Sequence, residues 1–385
     1  MKEKTKEISA QALLYRIMTG RLPFLLDVRT EEDRDQWRIE TSAGLEELNV
    51  PYIDFIEAPD EVIPKLPKDR EIVVLCGKGG ASAFVADMLR GRGFDAKNVT
   101  GGMKAWGAVY TSGVVWQEGG RKVVQFNRVG KGCLSYMIVS GGEAAVIDPS
   151  RHAEQYISEA IAAPATLRYI FDTHLHADHI SGADKLRDST LADYYISRRD
   201  MEGAKRDYLP LVDGRRFELG GAPIEVMAIS SPGHTPGSTS FLFDGKVLFT
   251  GDTLFLSSMG RPDLGGMAEA WVKDLWNTVR KLEHLPDETL VLPSHTAGVS
   301  EMNHEGKVVR TLGELRKINS LLTIRDEGEF SGRVLESLPE EPDSYQKMRR
   351  ANLGVDSPDE DEMDQWELGR NRCAIEASKQ AAAGK

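Results

Sequence analysis

The first 110 residues alternate short apolar runs with stretches whose apolar positions recur every three or four residues. Phe24-Leu25-Leu26-Asp27-Val28 and Ile72-Val73-Val74-Leu75 are of strand type. The second, apolar throughout and rich in β-branched residues, has the character of a central parallel strand. Ser9 is placed to cap a helix that runs to Thr19 and is stopped by Gly20. After the second run come Cys76-Gly77-Lys78-Gly79-Gly80-Ala81-Ser82 and a helix with Phe84, Val85, Met88 and Leu89 on one face, ended by Gly91 and Gly93. Strand–loop–helix units in series predict a parallel sheet with helices on both faces.

The texture then changes. Ser-Gly and Gly119-Gly120 interrupt the pattern between Thr111 and Lys122, where a linker is expected. Val123–Phe126, Leu134–Val139 and Ala144–Ile147 are closely spaced strands, the last two joined by a turn at Gly141-Gly142. Further strands are expected at Tyr169–Phe171, Ile224–Ile229, Ser240–Phe243, Val247–Thr250 and Leu290–Leu292, with a helix over Trp271–Leu282. From Gly354 the chain is acidic and poor in aliphatics, which predicts a solvated tail with at most one short helix. The division expected is an α/β parallel-sheet domain over 1–112, a second domain over 113–350 and an acidic tail over 351–385.

Composition narrows the function classes. The 385 residues carry 48 Lys+Arg against 60 Asp+Glu, a formal charge of −12, which argues against a generic nucleic-acid binder. Three cysteines are too few for a disulfide-stapled scaffold. No apolar run approaches the ~18–20 residues that span a bilayer, and the charged N-terminal stretch leads into no apolar signal core. A cytoplasmic protein with reduced thiols and no membrane partner is expected.

The candidate chemistry sits at strand ends. Thr173-His174-Leu175-His176-Ala177-Asp178-His179 follows Tyr169–Phe171, and Ser231-Pro232-Gly233-His234 follows Ile224–Ile229. Gly251-Asp252 follows Val247–Thr250, and Ser294-His295 follows Leu290–Leu292. Imidazole and carboxylate are ligands for zinc or non-haem iron, and a sheet delivers such ends to a common rim.

His-x-His-x-Asp-His with a later His, a Gly-Asp and a Ser-His resembles the metallo-β-lactamase superfamily over roughly residues 120–310. That resemblance implies an αββα sandwich with a metal site along one edge of its sheets. Lys131–Tyr136, Val146–Ser150, His176–Gly182 and Gly260-Arg261-Pro262-Asp263-Leu264 are similar to persulfide dioxygenases within it. The similarity implies one Fe(II) held by His174, His234 and Asp252, with His176, Asp178, His179 and His295 around them. In the related glyoxalase II hydrolases the last four help hold two zinc ions, so a zinc thioester hydrolase is the alternative. Arg261 and Asp263 are open between a buried structural pair and a substrate-pocket pair. After His295 this chain has Thr296-Ala297 in place of the Asp-Tyr of glutathione-persulfide members.

The Cys76 loop, with Leu26–Arg29 and Gly101–Trp106, resembles a rhodanese (sulfurtransferase) domain over about residues 5–110. Cys76 is then a sulfur carrier, with Lys78, Gly79, Gly80 and Ser82 as its anion-binding surroundings. Ala81 stands where the common loop has arginine. The two resemblances together imply oxidation of a low-molecular-weight thiol persulfide by O2, fed by a sulfane-sulfur donor. A sulfur-relay or docking protein is the reading from another class. A homo-oligomer is expected. Cys133 is expected in the core, and Cys373 has no site around it that the sequence displays.

Overall fold

The computed structural model describes residues 6–41 and 44–375, with the backbone alone at 222–229. Its first unit is a five-stranded parallel sheet: β1 (Glu7–Ser9), β2 (Phe24–Asp27), β3 (Glu47–Asn49), β4 (Ile72–Leu75) and β5 (Ala96–Thr100), in the order β1-β5-β4-β2-β3. Ile72 and Val74 join Leu26, Phe55, Val85 and Leu89 on one face. Val73 and Leu75 join Leu13, Leu14, Met103 and Trp106 on the other. A strand covered on both faces is apolar at every position, as β4 is. Ser9 caps the helix Ala10–Met18 by accepting from the Ala12 amide. In the helix Gly80–Gly91 the buried stripe runs through Ser82, Val85, Ala86 and Leu89, and Phe84, expected on it, is half exposed.

Two further sheets form a sandwich. The first holds β6 (Tyr110–Glu118), β7 (Arg121–Arg128), β8 (Cys133–Ser140), β9 (Glu143–Ile147), β10 (Thr166–Phe171), β11 (Asp193–Ser197) and β12 (Leu209–Leu211), side by side in that order. The second holds β13 (Arg216–Leu219), β14 (Ala222–Ser230), β15 (Thr239–Phe243), β16 (Val247–Gly251), β17 (Leu290–Pro293) and β18 (Arg310–Thr311), likewise in order. Between them lies a core of alternate strand residues, including Tyr136, Ile138, Phe171, Phe217, Phe241 and Phe249. Helices Glu154–Ala162 and Ala183–Thr190 cover the outer face of the first sheet, and Ala268–Leu282 packs on the second through Val272, Leu275 and Val279.

Two expectations need correction. The stretch Thr111–Lys122 is no linker: β6 pairs with β7 from Tyr110↔Arg128 to Glu118↔Arg121, so a boundary at 112 cuts a strand. Gly119 and Gly120, both at positive φ, make the two-residue hairpin turn between them. Nor is 351–385 a solvated tail as far as Ile375. Asp359 caps a helix Glu360–Trp366 whose acidic side faces out, and Glu367 and Cys373 behind it are buried. Residues 376–385 lie outside the described part. The sandwich meets the first unit through a Trp37 Nε1–H donated to the Gly130 carbonyl at 2.7 Å and a Lys104–Asp364 ion pair at 2.8 Å.

Candidate metal centre

Parallel pairing makes the site. β9 and β10 finish together (Ile147↔Phe171), as do β16 and β17 (Gly251↔Pro293), so the residues after them meet at one edge. Asp148 gathers the junction. It accepts from the Thr173 amide at 2.7 Å, the Thr173 hydroxyl at 3.0 Å and the Ser294 hydroxyl across the sandwich. Gly251, at φ 54, lies so near Thr173 that a Cβ there would sit 2.5 Å from its Oγ1.

Three side chains converge on one point. His174 Nε2 is 3.6 Å and His234 Nε2 3.4 Å from Asp252 Oδ2. All three are completely or almost completely buried, and their facing atoms (both Nε2 and both Asp252 oxygens) have no hydrogen-bond partner. Buried lone pairs are costly unless something accepts them, so this cluster fits a metal cation. The other ring nitrogens are tied back. His234 Nδ1 lies 2.8 Å from the Arg261 carbonyl, and His174 Nδ1 lies 2.9 Å from the Thr173 hydroxyl, itself a donor to Asp148. Each arrangement sets the tautomer that leaves Nε2 bare. Burial, reinforced by the neighbouring imidazoles, holds His174 well below its ordinary pKa and hence neutral.

His176 turns elsewhere. Its Nε2 lies 3.2 Å from Asp148 Oδ1 and 3.6 Å from Asp172 Oδ1. Burial opposes its charge, but Asp148 raises its pKa well above the ordinary value. Asp178 lies 3.1 Å from His179 Nδ1, and His295 Nε2 lies 3.5 Å from Asp178 and 3.2 Å from Asp252. The seven predicted residues thus form one buried group, in which the donor atoms of His174, His234 and Asp252 lie within 4.8 Å of one another, as do those of His176, Asp178 and His179.

Several residues at this edge were not expected there. Cys133, placed in the core from its strand, does lie buried, yet its thiol donates to Asp178 Oδ2 at 3.1 Å. Cys373 lies with Asp252 and His295, donor atoms within 4.8 Å of one another. Asp200 accepts from Leu175 and Gly237 amides and Thr235, joining the two His loops. Asn352 donates to the carbonyls of His176 and His179. Cys133 and Asp148 stand within the sequence motifs, whereas Asp200, Asn352 and Cys373 lie too far along the chain for spacing to reveal. Arg261 is almost fully buried and holds Asp263 with two 2.7 Å bonds, its third nitrogen reaching the Glu340 and Arg372 carbonyls. The backbone carbonyl of Arg261 is the one that faces His234 Nδ1.

The Cys76 loop follows β4 in the first unit. Sγ receives the Gly79 amide at 3.1 Å and lies 3.0 Å from Ser82 Oγ, which also reaches Asn98 at 2.7 Å. Burial would raise the thiol pKa, but the bonds from Ser82 and the loop amides lower it on balance. Gly80 begins the helix behind the loop, and Lys78 points no ammonium at any carboxylate among the described residues.

Comparison with known proteins places these features. The profile of the metallo-beta-lactamase superfamily matches residues 128–295, and that of the rhodanese-like domain matches 9–109. The human mitochondrial persulfide dioxygenase ETHE1 is 34% identical over 185 residues, covering 47% of this chain and 67% of that protein. The hydroxyacylglutathione hydrolase of Rhodospirillum rubrum is 34% identical over 155 residues, 40% of this chain and 57% of that one. The crystal structure of ETHE1 from Myxococcus xanthus superposes with a TM-score of 0.51 at 28% identity, covering 58% of this chain and 94% of that one.

Proposed function

The chain belongs to the metallo-β-lactamase superfamily and carries a rhodanese-like domain, and from that premise we propose that it is a persulfide dioxygenase fed by a sulfur carrier. The observation that carries this reading is the donor set. His174 Nε2, His234 Nε2 and the Asp252 oxygens come together without hydrogen-bond partners, while His176 Nε2, also without one, lies beside Asp148 and Asp172 instead. An Fe(II) ion held by His174, His234 and Asp252 would supply open positions for O2 and a thiolate-like sulfur.

The protein's part is orientation and exclusion of water. Thr173 and the Arg261 carbonyl fix the two imidazoles, and Asp148 fixes Thr173. The terminal sulfur of R–S–S⁻ takes both atoms of O2 and one oxygen from water. It leaves as sulfite, with the thiol R–SH and one proton released. Cys76, its thiolate favoured by Ser82 and the loop amides, carries sulfane sulfur into that substrate pool.

A second reading has its own support. Asp178, His179 and His295 adjoin Asp252, enough donors for a second metal, and hydroxyacylglutathione hydrolases are among the relatives. Anaerobic purification, metal determination and O2 uptake with a low-molecular-weight persulfide separate the two. About one iron per chain with O2 consumed is expected. Near-stoichiometric zinc, no O2 uptake and cleavage of a glutathione thioester would establish the hydrolase instead.

A further inference from the structure

The end of the described chain brings a thiol to the metal centre. Residues 367–375 are set in place by bonds that involve no metal. Arg370 pairs with Glu40 of the first unit at 2.6 Å, and the Asn371 amide donates to the Lys131 carbonyl at 3.0 Å. The Arg372 amide donates to Tyr345 Oη at 2.6 Å. The Cys373 carbonyl accepts the Arg261 amide at 2.8 Å, and the Ile375 amide reaches the Met259 carbonyl at 3.0 Å. Leu368, Gly369, Arg370 and Arg372 also wall a cavity of about 600 Å³, together with Gly77 and Lys78 of the first unit. Held from both units, the strip fixes where Cys373 sits.

Cys373 is completely buried, and its Sγ, one Asp252 oxygen and one His295 ring nitrogen lie within 4.8 Å of one another. Both Asp252 oxygens and both His295 ring nitrogens are enclosed without hydrogen-bond partners, which is costly unless a cation takes their lone pairs. Asp252 has two such oxygens, enough to serve a second ion beside the one that His174 and His234 face. Thiolate, imidazole and carboxylate together suit zinc, and the sulfur turns away magnesium and calcium. Cys133 is the rival thiol, since it forms a similar trio with Asp178 and His295. Its proton, however, already goes to Asp178, which also lies 3.1 Å from His179 Nδ1. Cys373 stands beyond residues 128–295, so its thiol is no part of the superfamily match.

We propose that Asp252, His295 and Cys373 form a second metal site, for a zinc-type divalent cation, in which the C-terminal strip supplies the thiolate. The site goes beyond the dioxygenase reading and stands whichever reaction the first ion serves. The Cys373 proton leaves to solvent as the sulfur–metal bond forms. Two cations that share Asp252 repel each other, so the second binds more weakly than the first. A chain purified with one ion therefore takes up the second only when that metal is supplied. Once bound, it links the strip to the loops after β16 and β17, where Asp252 and His295 stand.

The test uses Co2+, which enters zinc-type sites and gives a near-ultraviolet thiolate-to-cobalt absorption only when sulfur is a ligand. The full chain carries Cys76→Ser, to remove the thiol of the other loop, and is stripped of metal. Two equivalents of Co2+ are expected to produce the absorption. Adding Cys133→Ser, which leaves Cys373 as the sole cysteine, is expected to keep it. Replacing Cys373→Ser instead is expected to abolish it while the visible bands of cobalt at His174, His234 and Asp252 remain. No sulfur absorption in the Cys76→Ser chain, or one that survives Cys373→Ser or disappears with Cys133→Ser, would overturn the site. Should the Cys373→Ser chain not fold, zinc X-ray absorption on the sole-cysteine chain still decides. Scattering from sulfur at ~2.3 Å supports the site, and its absence overturns it. None of these outcomes reads O2 uptake, so the site and the dioxygenase reading stand or fall separately.

Discussion

Thr173 shows how little separates a metal ligand from a core histidine. Its hydroxyl takes the Nδ1 proton of His174 and gives its own to Asp148, which leaves Nε2 no choice but to face Asp252. Thr173→Val keeps the shape and removes the relay, so metal affinity should fall about 10–100-fold, read as metal retained against a chelator. His234→Ala should lose the bound metal altogether, and His176→Ala should keep it, because His176 Nε2 lies beside Asp148 and Asp172 rather than Asp252. Metal content of the two purified variants checks this. At the other site, Ser82→Ala should move the pH midpoint of Cys76 alkylation by iodoacetamide upward, since a bond that lowers the thiol pKa is lost.

Among elements, the C-terminal segment departs furthest from its sequence pattern. Glu367 is buried between Arg128 at 2.7 Å and Arg151 at 3.0 Å and accepts the Ile180 amide at 2.8 Å, which ties the segment to the loop after His179. Removing its charge leaves the buried Arg128 guanidinium without a carboxylate, while Arg151 keeps Glu360 and Asp364, so Glu367→Gln should destabilise by about 3–5 kcal/mol in denaturant unfolding. Burial would raise its pKa, but Arg128 and Arg151 hold it far below the ordinary glutamate value. The stability it lends is therefore present above the unfolded value of ~4.3 and drains away as pH falls below it. The melting temperature of the parent chain should fall more steeply below about pH 4.5 than that of Glu367→Gln. None of this could be seen in Asp359-Glu360-Asp361-Glu362, whose outward face sets the composition, while the partners of Glu367 lie more than 180 residues away. By contrast β2, β4 and the His-bearing loops were legible, because burial on both faces and the strand-end motifs are written in consecutive residues. Strands of two or three residues, such as β1, β3 and β18, hold too few positions to carry a period, and the hairpin at Gly119-Gly120 read as a break because its turn is all glycine.

For the whole molecule, the metal centre and the loop of Cys76 share one structural member. Residues 367–375 seal the edge where Cys373 lies beside Asp252 and His295, and their other side walls the cavity that Lys78 enters. Stripping a metal from a site that draws on both sheets and this segment should lower the unfolding temperature of the full chain. Restoring it at about 100 times its dissociation constant should return ~2.7 kcal/mol, followed by calorimetry with and without chelator. The pinning of Arg372 and Cys373 also bears on the order of events during synthesis. On a growing polypeptide the histidine loops emerge before the strip at residues 367–375 that lies against them. Any choice between iron and zinc that depends on the finished enclosure accordingly waits until residues 367–375 have docked.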